Sequence, residues 1–209
     1  MKAAPEMFAV TKRAFLGLVG AMAAVRATAQ SVSAPSRVRL ETAAGVIVLE
    51  LAADGAPITT ANFLRYVGDK RFDGASFYRA MKNAGAPDTG LVQGGLGNDP
   101  AKVFAPIAHE STTQTGLSHK DGTISMARYA PGSAASEFFI CVGDQPYLDA
   151  DPSAPGDNLG FAAFGRVTEG MDVARKILAS PVSATQGEGA MKGQMLEPVV
   201  AIIEARRVS

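Results

Sequence analysis

The sequence is poor in the residues from which disulfides and metal sites are built. It has one cysteine and two histidines in 209 residues. Cys141 alone cannot close a disulfide within the chain or supply a thiolate metal site, and His109 and His119 are too few for a histidine-rich metal cluster. Charge is sparse and balanced. Charged residues make up 19% of the chain, and Lys+Arg and Asp+Glu total 20 each, for a formal net charge of zero. No block of either sign stands out, which argues against a nucleic-acid partner, whose electrostatic footprint is a basic stripe. The body of the chain has no apolar run of the roughly 18 residues that would span a bilayer. Hydrophobic residues are abundant at 47%, enough for one sizeable core and too many for a disordered chain. With 22 Gly and 12 Pro, turns are frequent, which favours short strands over long helices.

The first thirty residues read as a targeting segment. Lys12-Arg13 precede an apolar run from Ala14 to Val25, followed by Ala27-Thr28-Ala29. An apolar stretch of about a dozen residues is the length of a signal-peptide core and short for a bilayer span, and small-x-small is the pattern a signal peptidase reads. Residues 1–29 are therefore expected to be a signal peptide, cleaved after Ala29 to leave Gln30 at the N-terminus of a periplasmic protein with no membrane attachment. An uncleaved N-terminal anchor or a cytoplasmic amphipathic helix is the alternative. Removing 1–29 takes away Lys2, Lys12, Arg13, Arg26 and Glu6, leaving 16 basic and 19 acidic residues and a net charge of −3. A single cysteine suits an oxidising compartment, because it cannot mispair within its own chain.

Residues 30–37 read as a short linker and 38–209 as one domain. Val38–Thr42 and Val46–Leu51 are β-rich runs around Ala43-Ala44-Gly45, a hairpin signal. Pro57 can open a helix at its first turn; Phe63, Tyr66 and Val67 then share one face, and Gly68 can stop it. Short strands are expected over Ser76–Met81, Leu91–Gln93, Thr123–Ala127, Phe138–Val142 and Phe161–Val167, a second helix over Met171–Leu178, and a last strand around Val199–Ile203. Strands in the middle with helices only towards the ends favour a closed antiparallel barrel, its mouths covered by helices, over alternating βαβ units.

Several short motifs carry no function. Gly94-Gly95-Leu96-Gly97 lacks the Lys-Ser/Thr of a phosphate loop and the helix that would follow it. Asp149, Asp151, Ser153, Asp157 and Asn158 resemble the start of a calcium loop, but the sixth position is Ala154 and the twelfth Gly160. Ser133 and Ser136 lack the Gly-x-Ser-x-Gly frame of a hydrolase. Cys141, within the apolar Phe138–Val142, reads as packing. His109 and His119, near Glu110 and Asp121, read as loop-fixing hydrogen-bonders.

In chain order the sequence also carries Phe77-Tyr78-Arg79, Gln93-Gly94-Gly95, Ile124-Ser125-Met126-Ala127, Ser136-Glu137-Phe138-Phe139-Ile140, Tyr147-Leu148-Asp149 and Phe164-Gly165-Arg166-Val167. Each is weak alone. Together, from about Val38 to the C-terminus, they strongly resemble the cyclophilin family of peptidyl-prolyl cis-trans isomerases, and Met126-Ala127-Arg128 resembles its secreted bacterial members. The resemblance implies a mainly β fold, a closed eight-stranded antiparallel barrel capped by two α-helices, with an active groove on the outside. It implies isomerisation of Xaa-Pro bonds in unfolded or partly folded exported proteins by a monomer that needs neither cofactor nor metal. The alternatives are a proline-peptide binding module or chaperone with weak or no isomerase activity, and a structural or ligand-binding barrel with another task.

Rotation about an Xaa-Pro bond breaks amide resonance across a barrier of roughly 18–20 kcal/mol. An enzyme must stabilise the twisted amide, in which nitrogen regains a lone pair, more than the planar one. A fixed cation donating to that nitrogen does so, and arginine, always charged and rigidly forked, suits the task. By the resemblance this is Arg79. Gln93 would bind the substrate backbone or hold Arg79, and Phe139 would complete the catalytic set. Leu91, Met126, Ala127, Arg128, Tyr147, Leu148 and Phe161 would contact the substrate, with Leu91, Leu148 and Phe139 lining the proline pocket.

The sequence also departs from the family. Gly90 stands where Phe is usual, and Lys82–Thr89 reads as an inserted loop, so one wall of the pocket is expected to be open or refilled from that loop. Tyr147 replaces Trp or Phe, Phe161 replaces His or Tyr, and the loop Ala150–Leu159 is long. Glu137 replaces Gln, which puts a carboxylate near the groove and is expected either to alter substrate choice or to pair with Arg79 or Arg128.

Overall fold

In chain order the elements are β1 (Ser36–Thr42), β2 (Gly45–Leu51), α1 (Pro57–Gly68), β3 (Ser76–Asn83), β4 (Ala86–Gly95), α2 (Thr112–Thr115), β5 (Thr123–Met126), β6 (Phe138–Val142), β7 (Ala162–Glu169), α3 (Met171–Ala179) and β8 (Met195–Val208). The computed structural model describes residues 36–208. The expected signal peptide lies outside the described residues. The strands close into a barrel in the order β1-β2-β7-β5-β6-β4-β3-β8, with every neighbouring pair antiparallel. Closure leaves no open sheet edge.

Alternation fills the interior. Val38 and Leu40 of β1 lie beside Leu49 and Ile47 of the neighbouring β2, and with Leu51 all turn into the core. Phe63 of α1 meets Phe72, Phe138 and Phe164 with ring centroids 5.1–5.4 Å apart, and Phe138 meets Phe77 edge-on. Pro57 starts α1, and the helix buries Phe63, Tyr66 and Val67 as the spacing predicts. The orphan N–H groups of its first turn donate to a distant carboxylate: Glu110 accepts from the backbone of Ile58 and Thr59 and from the Thr59 hydroxyl. At the other end of the chain order, α3 buries Val173, Ala174, Ile177 and Leu178.

The structure differs from the sequence reading at several boundaries. β1 begins at Ser36, so Ser36 and Arg37 belong to the barrel, paired with Leu51 and Glu50, and not to a linker. Lys82–Thr89 forms the tip of a hairpin: β3 runs on to Asn83, Ala84 and Gly85 turn, and β4 starts at Ala86, with Pro87, Asp88 and Thr89 unpaired between the Asn83–Ala86 and Lys82–Gly90 pairs. A third helix, α2, is a single turn with a capping box between Ser111 and Gln114, too short to show as a periodic pattern. β8 starts four residues before Val199, because Met195 pairs with Arg79.

Candidate active groove

The groove lies on the outer face of β3, β4 and β6. Register aligns Arg79 with Gln93, Gln93 with Phe139 and Phe139 with Ser125. The next row is Met81, Leu91 and Cys141. Their neighbours Ala80, Val92, Phe138 and Ile140 point inward, and alternation turns these two rows outward. A bulge adds one more outward residue. Phe77 pairs with Gly94 and Arg79 with Gln93, leaving Tyr78 as the extra residue beside Arg79.

One end of the groove is apolar. Leu91, Phe139, Cys141 and Leu148 form a small buried cluster of their own, with Met81, Ala127 and Phe161 against it. Arg79, Leu91, Gln93, Ala127, Arg128, Phe139, Leu148 and Phe161 are among the residues that line a cavity of about 140 Å³ there. Phe139 forms its floor and is 2% exposed. The ring is held on two sides: Phe161 meets it edge-on at 5.5 Å, and His119 lies near-parallel at 5.9 Å. His119 is itself fixed, with Nδ1 at 2.6 Å from Asp149 Oδ1 and Nε2 at 2.9 Å from Ser125 Oγ. Burial lowers the pKa of His119 against the opposing pull of Asp149. Burial raises that of Asp149, but hydrogen bonds from Ser118 and from the side chain and backbone of His119 outweigh it, and the net shift is downward. The pair is thus a neutral imidazole donating from Nδ1 to a carboxylate, with Nε2 accepting from Ser125. It resembles a hydrolytic triad in outline, but Ser125 and His119 are both fully buried and no substrate can reach them.

The other end is polar. Arg79 Nε donates to Gln194 Oε1 at 2.8 Å, and Nη1 donates to Gln93 Oε1 at 2.8 Å. Nη2 has no partner among the described residues. Burial lowers the pKa of Arg79, though a guanidinium stays charged. Gln93 Nε2 donates to the Tyr78 hydroxyl at 2.7 Å, and that hydroxyl donates to Glu137 Oε2 at 2.5 Å. Burial, and then the nearby Glu137 carboxylate, push the Tyr78 phenol far above its ordinary range. A second, larger cavity of about 640 Å³ adjoins the first and shares Gln93, Asn98, Tyr129 and Met191 with it.

Of the expected site residues, Arg79, Gln93, Phe139, Leu91, Ala127, Arg128, Leu148 and Phe161 come together in one groove. Met126 does not. It is 1% exposed and packs in the barrel core, because it follows the outward Ser125 by one residue. Tyr147 is 60% exposed and stands outside the pocket lining. Arg128 is a wall and no free cation. Its N–H groups donate to Gly160 O, Tyr129 O and both oxygens of Asp157, which ties it to the loop before Phe161. Glu137 pairs with neither Arg79 nor Arg128, since Tyr78 and backbone N–H groups take its carboxylate. Gly90 has no room for a side chain: it has φ +151°, and a Cβ there would lie 1.9 Å from Met81 O. Met81, paired with Leu91 across the β3–β4 hairpin, packs against the apolar cluster without lining the cavity. The histidines do fix loops, but with other partners than expected: Asp149 for His119 and Leu159 O for His109. Sequence reasoning missed Tyr78, Gln194 and the His119–Asp149–Ser125 support. Asp149 and Ser125 stood inside the quoted motifs, whereas nothing local marks Gln194.

A family model described as cyclophilin type peptidyl-prolyl cis-trans isomerase matches residues 37–205. The chain is similar to a peptidyl-prolyl cis-trans isomerase of Streptomyces antibioticus, cyp18, at 37% identity over 178 residues, covering 83% of this chain and 98% of the relative. It is similar to another of Acinetobacter baylyi at 35% identity over 176 residues, covering 82% and 85%. A solved Cryptosporidium parvum cyclophilin type isomerase shares the fold, with a TM-score of 0.66 at 20% identity over 84% of this chain and 99% of that one. Barrel, groove and sequence relatives agree, and the chain belongs to the cyclophilin-type peptidyl-prolyl cis-trans isomerases.

Proposed function

We propose that the groove binds an Xaa-Pro segment with the proline ring over Phe139 and the Xaa-Pro amide beside Arg79. The observation that carries this is the placing of one guanidinium, held by Gln93 and Gln194, in the lining of a small apolar pocket. A donor already fixed before substrate arrives needs no reorganisation as the amide twists, and the apolar floor strengthens its field at the nitrogen. The ring stays seated while the Xaa side of the bond rotates, so the enzyme binds the twisted amide better than either planar isomer. Leu91, Leu148, Phe161 and Ala127 position the ring, and the adjoining larger cavity takes residues flanking the proline. A solved cyclophilin type isomerase of similar fold was determined in the presence of the dipeptide Ala-Pro, which supports proline peptides as the ligand class here.

The substrates on this reading are partly folded exported polypeptides, met in the periplasm by a monomer released after Ala29. Lys12-Arg13, the apolar run and Ala27-Thr28-Ala29 support it. N-terminal sequencing of the protein from fractionated cells should start at or near Gln30 in the periplasmic fraction; intact Met1 in the cytoplasm would contradict it. A protease-coupled assay on an Ala-Pro peptide, run beside a binding titration of the same peptide, tests the groove. Acceleration at saturable peptide concentrations is expected. Binding without acceleration would make the groove a proline-peptide binding module.

A further inference from the structure

Glu137 lies three hydrogen bonds away from Arg79, through Gln93 and Tyr78, and its surroundings are built for a carboxylate. It is 5% exposed. Oε1 accepts from the backbone N–H of Leu96 at 2.9 Å and of Asn98 at 3.2 Å, and from Ser136 Oγ at 2.9 Å. Gly95 makes the room, since a Cβ there would lie 2.6 Å from Oε2. With Oε1 pinned, Oε2 is left to face the Tyr78 hydroxyl.

The hydrogen bonds from Arg79 to Glu137 have one consistent direction. A guanidinium only donates, so Gln93 must turn its oxygen to Arg79. Its NH₂ then faces Tyr78, whose oxygen accepts, and the hydroxyl proton goes on to Glu137. A carboxylate only accepts, so the far end of the chain demands the same direction as the near end. We propose that Glu137 is a positioning residue for Arg79: by accepting from Tyr78 it orients the Gln93 amide so that oxygen, and not nitrogen, meets the guanidinium. The inference rests on the reading of Arg79 as the catalytic cation.

In Glu137→Gln the pinned oxygen keeps its three donors, and the new NH₂ replaces Oε2 against Tyr78. The hydroxyl proton loses its acceptor, and the acceptor left within the network is Gln93 Oε1. Gln93 Oε1 is then contested between the phenol and the guanidinium, and its hold on Arg79 loosens. Removing the hydroxyl as well removes the competing donor. Glu137→Gln is therefore expected to lower kcat about 10-fold with KM little changed, an effect of the size of a hydrogen bond to a charged group lost and left unsatisfied. Tyr78→Phe added to Glu137→Gln is expected to recover most of that loss, which a merely structural role for Glu137 does not predict. Glu137→Gln with wild-type activity, or a double variant no better than Glu137→Gln, would overturn the proposal. Should Glu137→Gln not fold, the Gln93 side-chain amide resonances decide it: Tyr78→Phe must shift them, and unchanged resonances overturn it. Arg79→Ala, run alongside, separates the two readings. Full activity in Arg79→Ala would sink the catalytic reading itself, whereas an inactive Arg79→Ala with a fully active Glu137→Gln sinks only the role of Glu137.

Discussion

Phe138 and Phe139 are adjacent in sequence, of one type, and 0% and 2% exposed, yet they belong to different machines. Phe138 points into the barrel, where it meets Phe63, Phe72 and Phe77. Phe139 points outward into a cluster of four buried side chains and forms a pocket floor between His119 and Phe161. Pleat alone separates them. Burial therefore does not tell a core residue from a site residue here; what differs is what stands around the ring. Three aromatic rings and the aliphatic core surround Phe138, so its surroundings specify the fold. Phe139 is backed by a hydrogen-bonded histidine on one side and by an arginine-edged cavity on the other, so its surroundings specify a ligand.

Truncation is the harshest way to break the comparison. Phe138→Ala should cost about 3–5 kcal/mol of stability, read from denaturant unfolding, because the inner cluster cannot collapse around the void. Activity per folded molecule should hold. A second break concerns the strand pair beneath both rings. Gly90→Ala forces a Cβ against Met81 O at a left-handed φ, so the β3–β4 hairpin must shift. A loss of about 1–3 kcal/mol is expected, as for other overpacked sites, and Gly90→Phe should be no more active than wild type. If Gly90→Phe raised activity, the lack of room for a side chain at this position would be wrong.

The outer ring answers to another measurement. Phe139→Leu keeps an apolar side chain of similar bulk, so the melting temperature should move little. Its kcat/KM on an Ala-Pro peptide should fall about 10-fold or more, since a poorer fit in a hydrophobic pocket acts on the bound ring. Equal losses of stability and activity in Phe138 and Phe139 variants would erase the distinction.

The smallest effect is in pH. Burial sets the folded pKa of His119 below its ordinary 6.5, so the unfolded chain binds the proton more readily than the folded one. Its contribution to stability is full above about pH 6.5 and is lost as pH falls towards the lowered value. Asp149, also lowered, acts further down, with its contribution present above its ordinary 3.8 and lost below. Melting temperature should therefore decline as pH drops below 6.5, and His119→Gln should flatten that part of the curve. A wild-type curve already flat there would mean that His119 charges freely in the fold.

The barrel was legible because alternation and turn residues write it locally. Val38–Thr42 and Val46–Leu51 around Gly45, and the helix from Pro57, appear as the pattern demands. The groove was legible as a set of types in order, which brought Arg79, Gln93 and Phe139 into one row. Two kinds of information were not. Facing was lost where strand phase was uncertain: Met126 reads as a site residue until Ser125 is seen to take the outward place. Long-range polar partners were invisible, because a glutamine at 194 or a tyrosine in a bulge carries no local signature of the charge it will hold. Glu137 shows both limits. Its departure from the family stood out, but its partner turned out to be Tyr78, which only the bulge in β3 brings within reach.

The central claim is that Arg79, fixed by Gln93 and Gln194 beside the floor made by Phe139, stabilises the twisted amide. The most direct measurement is kcat/KM of Arg79→Ala on an Ala-Pro peptide, taken together with its melting temperature. A fall of about 10²-fold or more, the size of one lost electrostatic contact at a reacting centre, with the melting temperature nearly unchanged, is predicted. Wild-type kcat/KM in a folded Arg79→Ala protein would contradict it.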